Sequence, residues 1–314
     1  MKRRDFIMAG LAGGAALSAC SCMKRAKSPA GSFPKRQLGK TGESLSIIGM
    51  GGIVVMDEEP GTAARVVADA VDRGVNYFDV APSYGNAQEK LGPALEPFRK
   101  NCFLACKTTE REKAGAEKEL NESLRILRTD HVDLYQLHAI SSLEDVEKAF
   151  GPGGAMEVFL KARQEGKTRF LGFSAHSEEA ALAAMDRFAF DTILFPVNFA
   201  CWFGGNFGPQ ALARAKEKGM GILALKGMAH SSVREGESKP YKKCWYRPIE
   251  DAPLQALALR FTLSQGVTAT IPPGEPRFFQ RALEIARNAA PVTELEIAIL
   301  TDRAKTIQPV FKKA

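Results

Sequence analysis

The chain has 314 residues, 45% hydrophobic and 25% charged, the profile of a soluble globular protein rather than a disordered one. Its net charge of +7 is concentrated at one end: residues 1–30 carry Lys2, Arg3, Arg4, Lys24, Arg25 and Lys27 against Asp5 alone. The remaining 37 basic and 35 acidic side chains nearly balance, which excludes the clustered basic footprint of a nucleic-acid-binding surface.

The first element in chain order is a targeting segment. "MKRRDF" is a basic start, followed by the weakly hydrophobic "IMAGLAGGAALSA", too short to span a bilayer. Arg3 and Arg4 followed by Asp5 and Phe6 resemble a bacterial twin-arginine export signal. "LSAC", Leu17 to Cys20, resembles the lipobox of bacterial lipoproteins. The expectation is therefore a signal segment over 1–30 and one catalytic domain over 31–314, exported and periplasmic or anchored to the membrane through a lipidated Cys20. The oligomeric state has no signature in the sequence.

Past residue 35, apolar runs alternate with amphipathic stretches. The runs are "LSIIGMGG", "VNYFDV", "CFLACKT", "VDLYQLHAI", "TRFLGFSAH", "TILFPVNF", "GILALKG" and "VTATIPPG". The stretches between them read as helices, several closed by glycine. Eight strand–helix units in this length predict an α/β fold of the closed (β/α)8 type, the TIM barrel. An open doubly wound sheet would carry a GxGxxG turn after its first strand, and "GMGGIVV" is not one. The loop 229–251 and a last helix over 293–312 fall outside the repeat. Six cysteines show no metal-ligand spacing, so no metal site is expected; Cys102 and Cys106 share the strand face opposite Lys107.

Barrel chemistry sits where the strands end. The second run ends in Asp79, with Tyr84 five residues on and Gly85 directly after it. The third ends in Lys107, the fourth in His138, the fifth in Ser174 and His176, and the seventh in Lys226. Strand parity puts Lys107 on one face with Phe103 and Ala105, and His138 with Leu134 and Gln136. Charged groups there must pair, which predicts Asp79 with Lys107, Lys107 with Tyr84, and Tyr84 with His138. In this arrangement Asp79 anchors Lys107, Lys107 lowers the phenol pKa, Tyr84 protonates an oxyanion and His138 orients a carbonyl oxygen.

These residues resemble the aldo-keto reductase superfamily. "GVNYFDVAPSYGNAQEKLG" is similar to its signature of an aspartate followed by the catalytic tyrosine and glycine, and "CKT" and "VDLYQLHAI" to its lysine and histidine strands. The resemblance covers about residues 35–290 and implies catalytic roles for Asp79, Tyr84, Lys107 and His138. It further implies NADP as cofactor, with NAD as the alternative, and a small-molecule carbonyl substrate. "GFSAHS" is similar to a Gly-x-Ser-Asn strand, which makes Ser174 a carboxamide contact, with Ala175 in place of asparagine. "FPVNFA" aligns with Gln-x-x-Tyr, which puts Pro196 at the glutamine and Phe199 at the aromatic that stacks on nicotinamide. Leu225, Lys226 and Gly227 occupy the pyrophosphate segment. "IPPGEPRFFQRALEIA" brings Gly274, Arg277 and Arg281 to the adenosine phosphate, with Glu275 in place of the usual basic residue.

Two other readings compete with a reductase. One is a Schiff-base lyase using Lys107 or Lys226. The other is a non-catalytic nicotinamide-binding subunit. Trp202, Trp245 and Tyr246 point to an aromatic-lined pocket suited to sugars or small carbonyls.

Overall fold

The computed structural model describes residues 33–313. The expected signal segment, with Arg3, Arg4 and Cys20, lies outside the described residues. The described chain opens with an antiparallel hairpin, β1 (Lys35–Gln37) and β2 (Ser44–Ser46).

Eight parallel strands follow: β3 (Met50–Gly51), β4 (Tyr77–Asp79), β5 (Phe103–Thr108), β6 (Val132–Ile140), β7 (Thr168–Ala175), β8 (Thr192–Pro196), β9 (Gly221–Leu225) and β12 (Ala269–Ile271). Each pairs with the next, and the ring closes where Gly49 N–H donates to Thr270 O (3.0 Å) and Thr270 N–H to Ile47 O (3.0 Å). This is the (β/α)8 barrel, and each of the eight expected strands is present.

Period-two alternation decides what faces inward. Tyr77, Phe103, Ala105, Leu134, Leu194, Leu223 and Ala269 fill the barrel interior, and Leu38 and Leu45 of the hairpin close its lower end. The alternate residues Phe78, Leu104, Cys106 and Tyr135 pack outward against the helices. The two layers explain why the strands read as nearly continuous apolar runs.

The surrounding helices are α1 (Pro60–Asp72), α2 (Ala87–Leu95), α3 (Lys113–Ile126), α4 (Leu143–Phe150), α5 (Ala155–Gln164), α6 (Glu178–Arg187), α7 (Pro209–Glu217), α8 (Ala252–Ser264), α9 (Pro276–Arg287) and α10 (Glu294–Ala304). The α1 helix stops at Gly74, whose φ of +94° and contact with Phe33, 2.8 Å from where a Cβ would sit, exclude a larger residue. The stretch between β6 and β7 carries two helices, α4 and α5, separated at Gly151–Gly154. The long loop after β9 carries a second hairpin, β10 (Ala229–Ser232) and β11 (Tyr246–Pro248).

Among the described residues, no helix is long and apolar enough to cross a membrane, and no group of three or more His, Cys, Asp or Glu could hold a metal ion. Cys102, Cys106, Cys201 and Cys244 are free, buried thiols.

Candidate active site

The β4, β5 and β6 strands are adjacent in the ring, so the polar residues at their upper ends converge. Lys107 is fully buried and its ammonium is ion-paired with Oδ1 of Asp79, itself buried. It also donates to Val80 O at 3.3 Å. Asp79 Oδ2 accepts from Tyr77 Oη at 3.2 Å and Gln136 Nε2 at 3.3 Å. A buried carboxylate with three donors is held in place. The sequence reading did not assign Tyr77 and Gln136 to the site. Their signal was parity: each lies two residues before a site residue on the same strand face.

Tyr84 sits in the turn after β4, where its N–H donates to Ala81 O at 3.1 Å. The following Gly85 has φ of +55°, and Met56 Sδ lies 3.1 Å from where its Cβ would be, so the turn favours glycine directly after Tyr84. The Lys107 ammonium is 5.1 Å from the centre of the Tyr84 ring. His138 meets the same ring edge-on, with centroids 5.5 Å apart and planes at 87°.

His138 is aimed by a backbone irregularity. The β6–β7 register shifts between Leu137 and Ile140, and Ala139 has φ of +53°. Such a bulge re-aims a side chain at a strand end. It is pinned from both sides: Ala139 N–H donates to Ser174 Oγ at 2.7 Å, and Arg111 donates to His138 O at 2.7 Å. Arg111 is fixed in turn by Asp145 at 3.1 Å. His138 Nδ1 lies 3.3 Å from Ser83 Oγ. The four residues expected to pair are thus brought together in the expected order.

The electrostatics differ from expectation at Tyr84. Burial pushes its phenol above the ordinary value, and the charge and hydrogen bond of Lys107 oppose that rise without reversing it. The expected net lowering is therefore corrected: Tyr84 keeps its proton, and Lys107 stabilises the anion left after transfer. Burial acts to lower the pKa of Lys107, but the Asp79 carboxylate and Tyr84 carry it above its usual value, so it stays an ammonium and is no amine nucleophile. Burial, followed by the charge of Lys107, pushes His138 down to about 3, so the ring is neutral.

The mouth opens beside this cluster as a cavity of about 80 Å³. Asp79 and Tyr84 line one side, and Leu225 and Lys226 another. Among the described residues the Lys226 ammonium has no carboxylate partner, and it lies 4.6 Å from the Trp245 ring centre and 4.5 Å from that of Tyr246. Burial lowers its pKa to about 8. Lys226 also has φ of +68°, outside the usual range for a residue other than glycine. Gly274 is on the lining, and a Cβ there would come within 2.4 Å of Ile53, so the wall needs glycine.

Other expected cofactor contacts lie elsewhere. Phe199 is fully buried with Ile249, Ala258, Phe261 and Leu300, away from the mouth. The chain turns into a π-helical segment over Ala200–Gly204 directly after it, which packs that ring against α8 and α10. The aromatic rings on the lining are Tyr84, Trp245 and Tyr246. Gly227 abuts Thr262 of α8, 2.8 Å from where its Cβ would be. Arg277 is ion-paired with Glu250 at 2.7 Å and lies over the Tyr241 ring, and Arg281 pairs with Glu284 at 3.0 Å. Ser174 Oγ accepts from Ala139 and retains its own proton to donate.

Residues 48–275 match the model of the aldo/keto reductase family. The chain is 26% identical over 292 residues to L-galactose dehydrogenase of Arabidopsis thaliana, covering 83% of this chain and 88% of that protein. It is 28% identical over 262 residues to 6-dehydroglucose reductase of Novosphingobium aromaticivorans, covering 75% and 79%. The aldo-keto reductase AKR11C1 of Bacillus halodurans shares the fold, with a TM-score of 0.68 at 24% identity over 88% of this chain and 98% of that one. The chain belongs to the aldo/keto reductase family: it is an enzyme that reduces carbonyl groups with NAD(P)H.

Proposed function

We propose that Tyr84 is the proton donor of this reductase, that Lys107 and Asp79 support it, and that the substrate is the aldehyde or ketone form of a sugar. The observation that carries the assignment is the buried Asp79–Lys107 ion pair set against the Tyr84 ring at the mouth of the family's barrel. A bound reduced nicotinamide supplies the hydride. Tyr84 gives its proton to the carbonyl oxygen as negative charge gathers there, an acceptor basic enough for a phenol of raised pKa. Lys107 stays charged beside the phenolate that remains. His138, neutral and with Nδ1 facing Ser83, donates through Nε2 to the same oxygen. The aromatic lining and the sugar-named relatives support the substrate class. The ion-paired ammonium of Lys107 tells against the lyase reading at that residue.

The residues fit an anionic dinucleotide: Lys226 on the lining is an ammonium without a carboxylate partner among the described residues. We assign NADP as the cofactor and NAD as the alternative, held by Ser174, Leu225, Lys226 and Gly274. Arg277 and Arg281 must leave Glu250 and Glu284 to meet an adenosine phosphate. Adding NADPH or NADH to protein freed of nicotinamide should quench the fluorescence of Trp245. Because Lys226 loses its charge as pH rises through about 8, affinity should fall between pH 7 and pH 9. Lys226→Met should bind more weakly at pH 7 and lose that dependence. Equal, pH-independent affinity in both proteins would remove Lys226 from the cofactor site.

The "KRR" and "LSAC" motifs support export by the twin-arginine route, with Cys20 as the lipid-bearing residue. Arg3→Lys with Arg4→Lys should leave the protein in the cytoplasm, and Cys20→Ala should release it from membranes. Unchanged fractionation in both variants would refute this localisation.

A further inference from the structure

Two lysines stand at the barrel mouth, and their surroundings differ. Lys107 has Asp79 as its counter-ion and stays charged. Lys226 lies on the lining of the mouth cavity, and among the described residues no oxygen accepts a hydrogen bond from its ammonium. It rests instead against the rings of Trp245 and Tyr246.

The fold fixes this side chain in place. Asn198, buried just past β8, donates through Nδ2 to Lys226 O at 3.0 Å and to Ala229 O at 2.7 Å. Its Oδ1 accepts from the N–H groups of Ala200 at 2.9 Å and Cys201 at 3.1 Å. Ala229 N–H donates to Lys226 O at 2.8 Å. These bonds hold Lys226 at φ of +68°, a backbone state that persists where the surroundings over-determine it and that clusters at functional sites.

The groups that face the amine supply no charge to hold its proton. Burial pushes the Tyr246 phenol and the Cys201 and Cys244 thiols up, so all three keep their protons. Burial pushes His176 down to about 4 and His138 to about 3, so both rings are neutral. On the lining, Asp79 is ion-paired with Lys107, and Lys243 with Glu58. Burial therefore lowers the Lys226 pKa to about 8. At pH 7 such an amine is neutral on the order of 10²-fold more often than a solvated lysine near 10.4. A weaker base is also a weaker nucleophile, which cancels about half of that advantage on a logarithmic scale and leaves roughly tenfold.

We propose that Lys226 is a carbonyl-capturing amine: in the cofactor-free enzyme its Nζ condenses reversibly with an aldehyde at the mouth, and the nicotinamide cofactor competes with the aldehyde for it. This rests on the reading of the mouth as a reductase site and of Lys226 as a cofactor contact. A carbonyl that enters to meet Tyr84 meets Lys226 on the same lining, and the cavity of about 80 Å³ has room for several waters and so for a short-chain aldehyde. The nitrogen adds to the aldehyde carbon, and the two amine protons leave with the carbonyl oxygen as water. A C=N bond replaces the C=O bond with no change of oxidation state. An anionic phosphate beside Lys226 keeps it protonated and covers it, so excess aldehyde holds only the empty enzyme.

The test uses wild-type, full-length protein freed of nicotinamide. It is incubated at pH 7 with propanal, reduced with borohydride, digested and mapped by mass for propylated lysines. Lys226 should be labelled at roughly tenfold lower propanal than solvent-exposed lysines; labelling no better than theirs overturns the proposal. The oxidised form of whichever nicotinamide binds, added at about ten times its Kd, should cut labelling at Lys226 by about tenfold and leave the exposed lysines unchanged. Undiminished labelling at Lys226 overturns the competition. Cofactor binding is scored separately by the fluorescence quench in a sample without aldehyde. Quenching without preferential labelling sinks the proposal alone. No quenching by either nicotinamide sinks the cofactor reading of this mouth, and the competition with it.

Discussion

Tyr84→Phe lowers turnover with an aldehyde substrate by about 10²-fold or more, the scale of general acid catalysis. The substitution keeps the ring that packs against His138 and Lys107 and removes only the hydroxyl. Cofactor affinity hardly changes, because the phenol acts on the substrate oxygen. In the wild type, burial holds the phenol above its ordinary pKa, so turnover is flat through neutral pH and falls only where Tyr84 ionises in alkali. His138, at about 3, adds no limb to that profile above about pH 5. Retention of wild-type turnover in Tyr84→Phe would refute the assignment.

Lys107→Met has a comparable effect on turnover and a second effect on folding. It strands Asp79 as a buried carboxylate without its cation, left with Tyr77 and Gln136 as donors. Removing one partner of a buried pair costs about 3–5 kcal/mol, which for a chain of this size lowers Tm by on the order of 10 °C. Lys107→Met combined with Asp79→Asn recovers most of the stability, because an amide replaces the stranded charge, and recovers none of the turnover. That split separates the chemical role of the lysine from its structural one. Tyr84→Phe with Lys107→Met is little worse than either alone, since the two act as one unit and such losses do not add.

The barrel was legible because each strand is buried on both faces and so reads as an apolar run with a polar residue at its end. The same parity placed Lys107 and His138 inside and Cys106 outside. The hairpins were hidden for the opposite reason. The strands of β1 and β2 are three residues each, with only Leu45 buried as an apolar side chain among the six, and the loop after β9 is mostly polar. Its Lys243 reads as a solvated lysine in "YKKCW" until the fold brings Val54 and Glu58 to it.

Phe199 was misplaced because aligning an aromatic residue with a motif fixes its position in the chain, not its direction. The π-helical turn after it carries the ring into the α8–α10 layer, and Trp245 and Tyr246 of the loop after β9 line the mouth. The Tyr84 pKa was misjudged because the sequence reveals a charged neighbour but not how dry the site is. Desolvation outweighs the lysine here.

The central claim is reduction of a carbonyl by hydride from a nicotinamide at this mouth. It is tested most directly by incubating the enzyme with an aldehyde and excess NADPH or NADH carrying deuterium at the transferable position of nicotinamide C4. The account predicts an alcohol with one deuterium on its carbinol carbon, formed at least about 10²-fold more slowly by Tyr84→Phe. An alcohol without deuterium, or no alcohol with either cofactor, would contradict it.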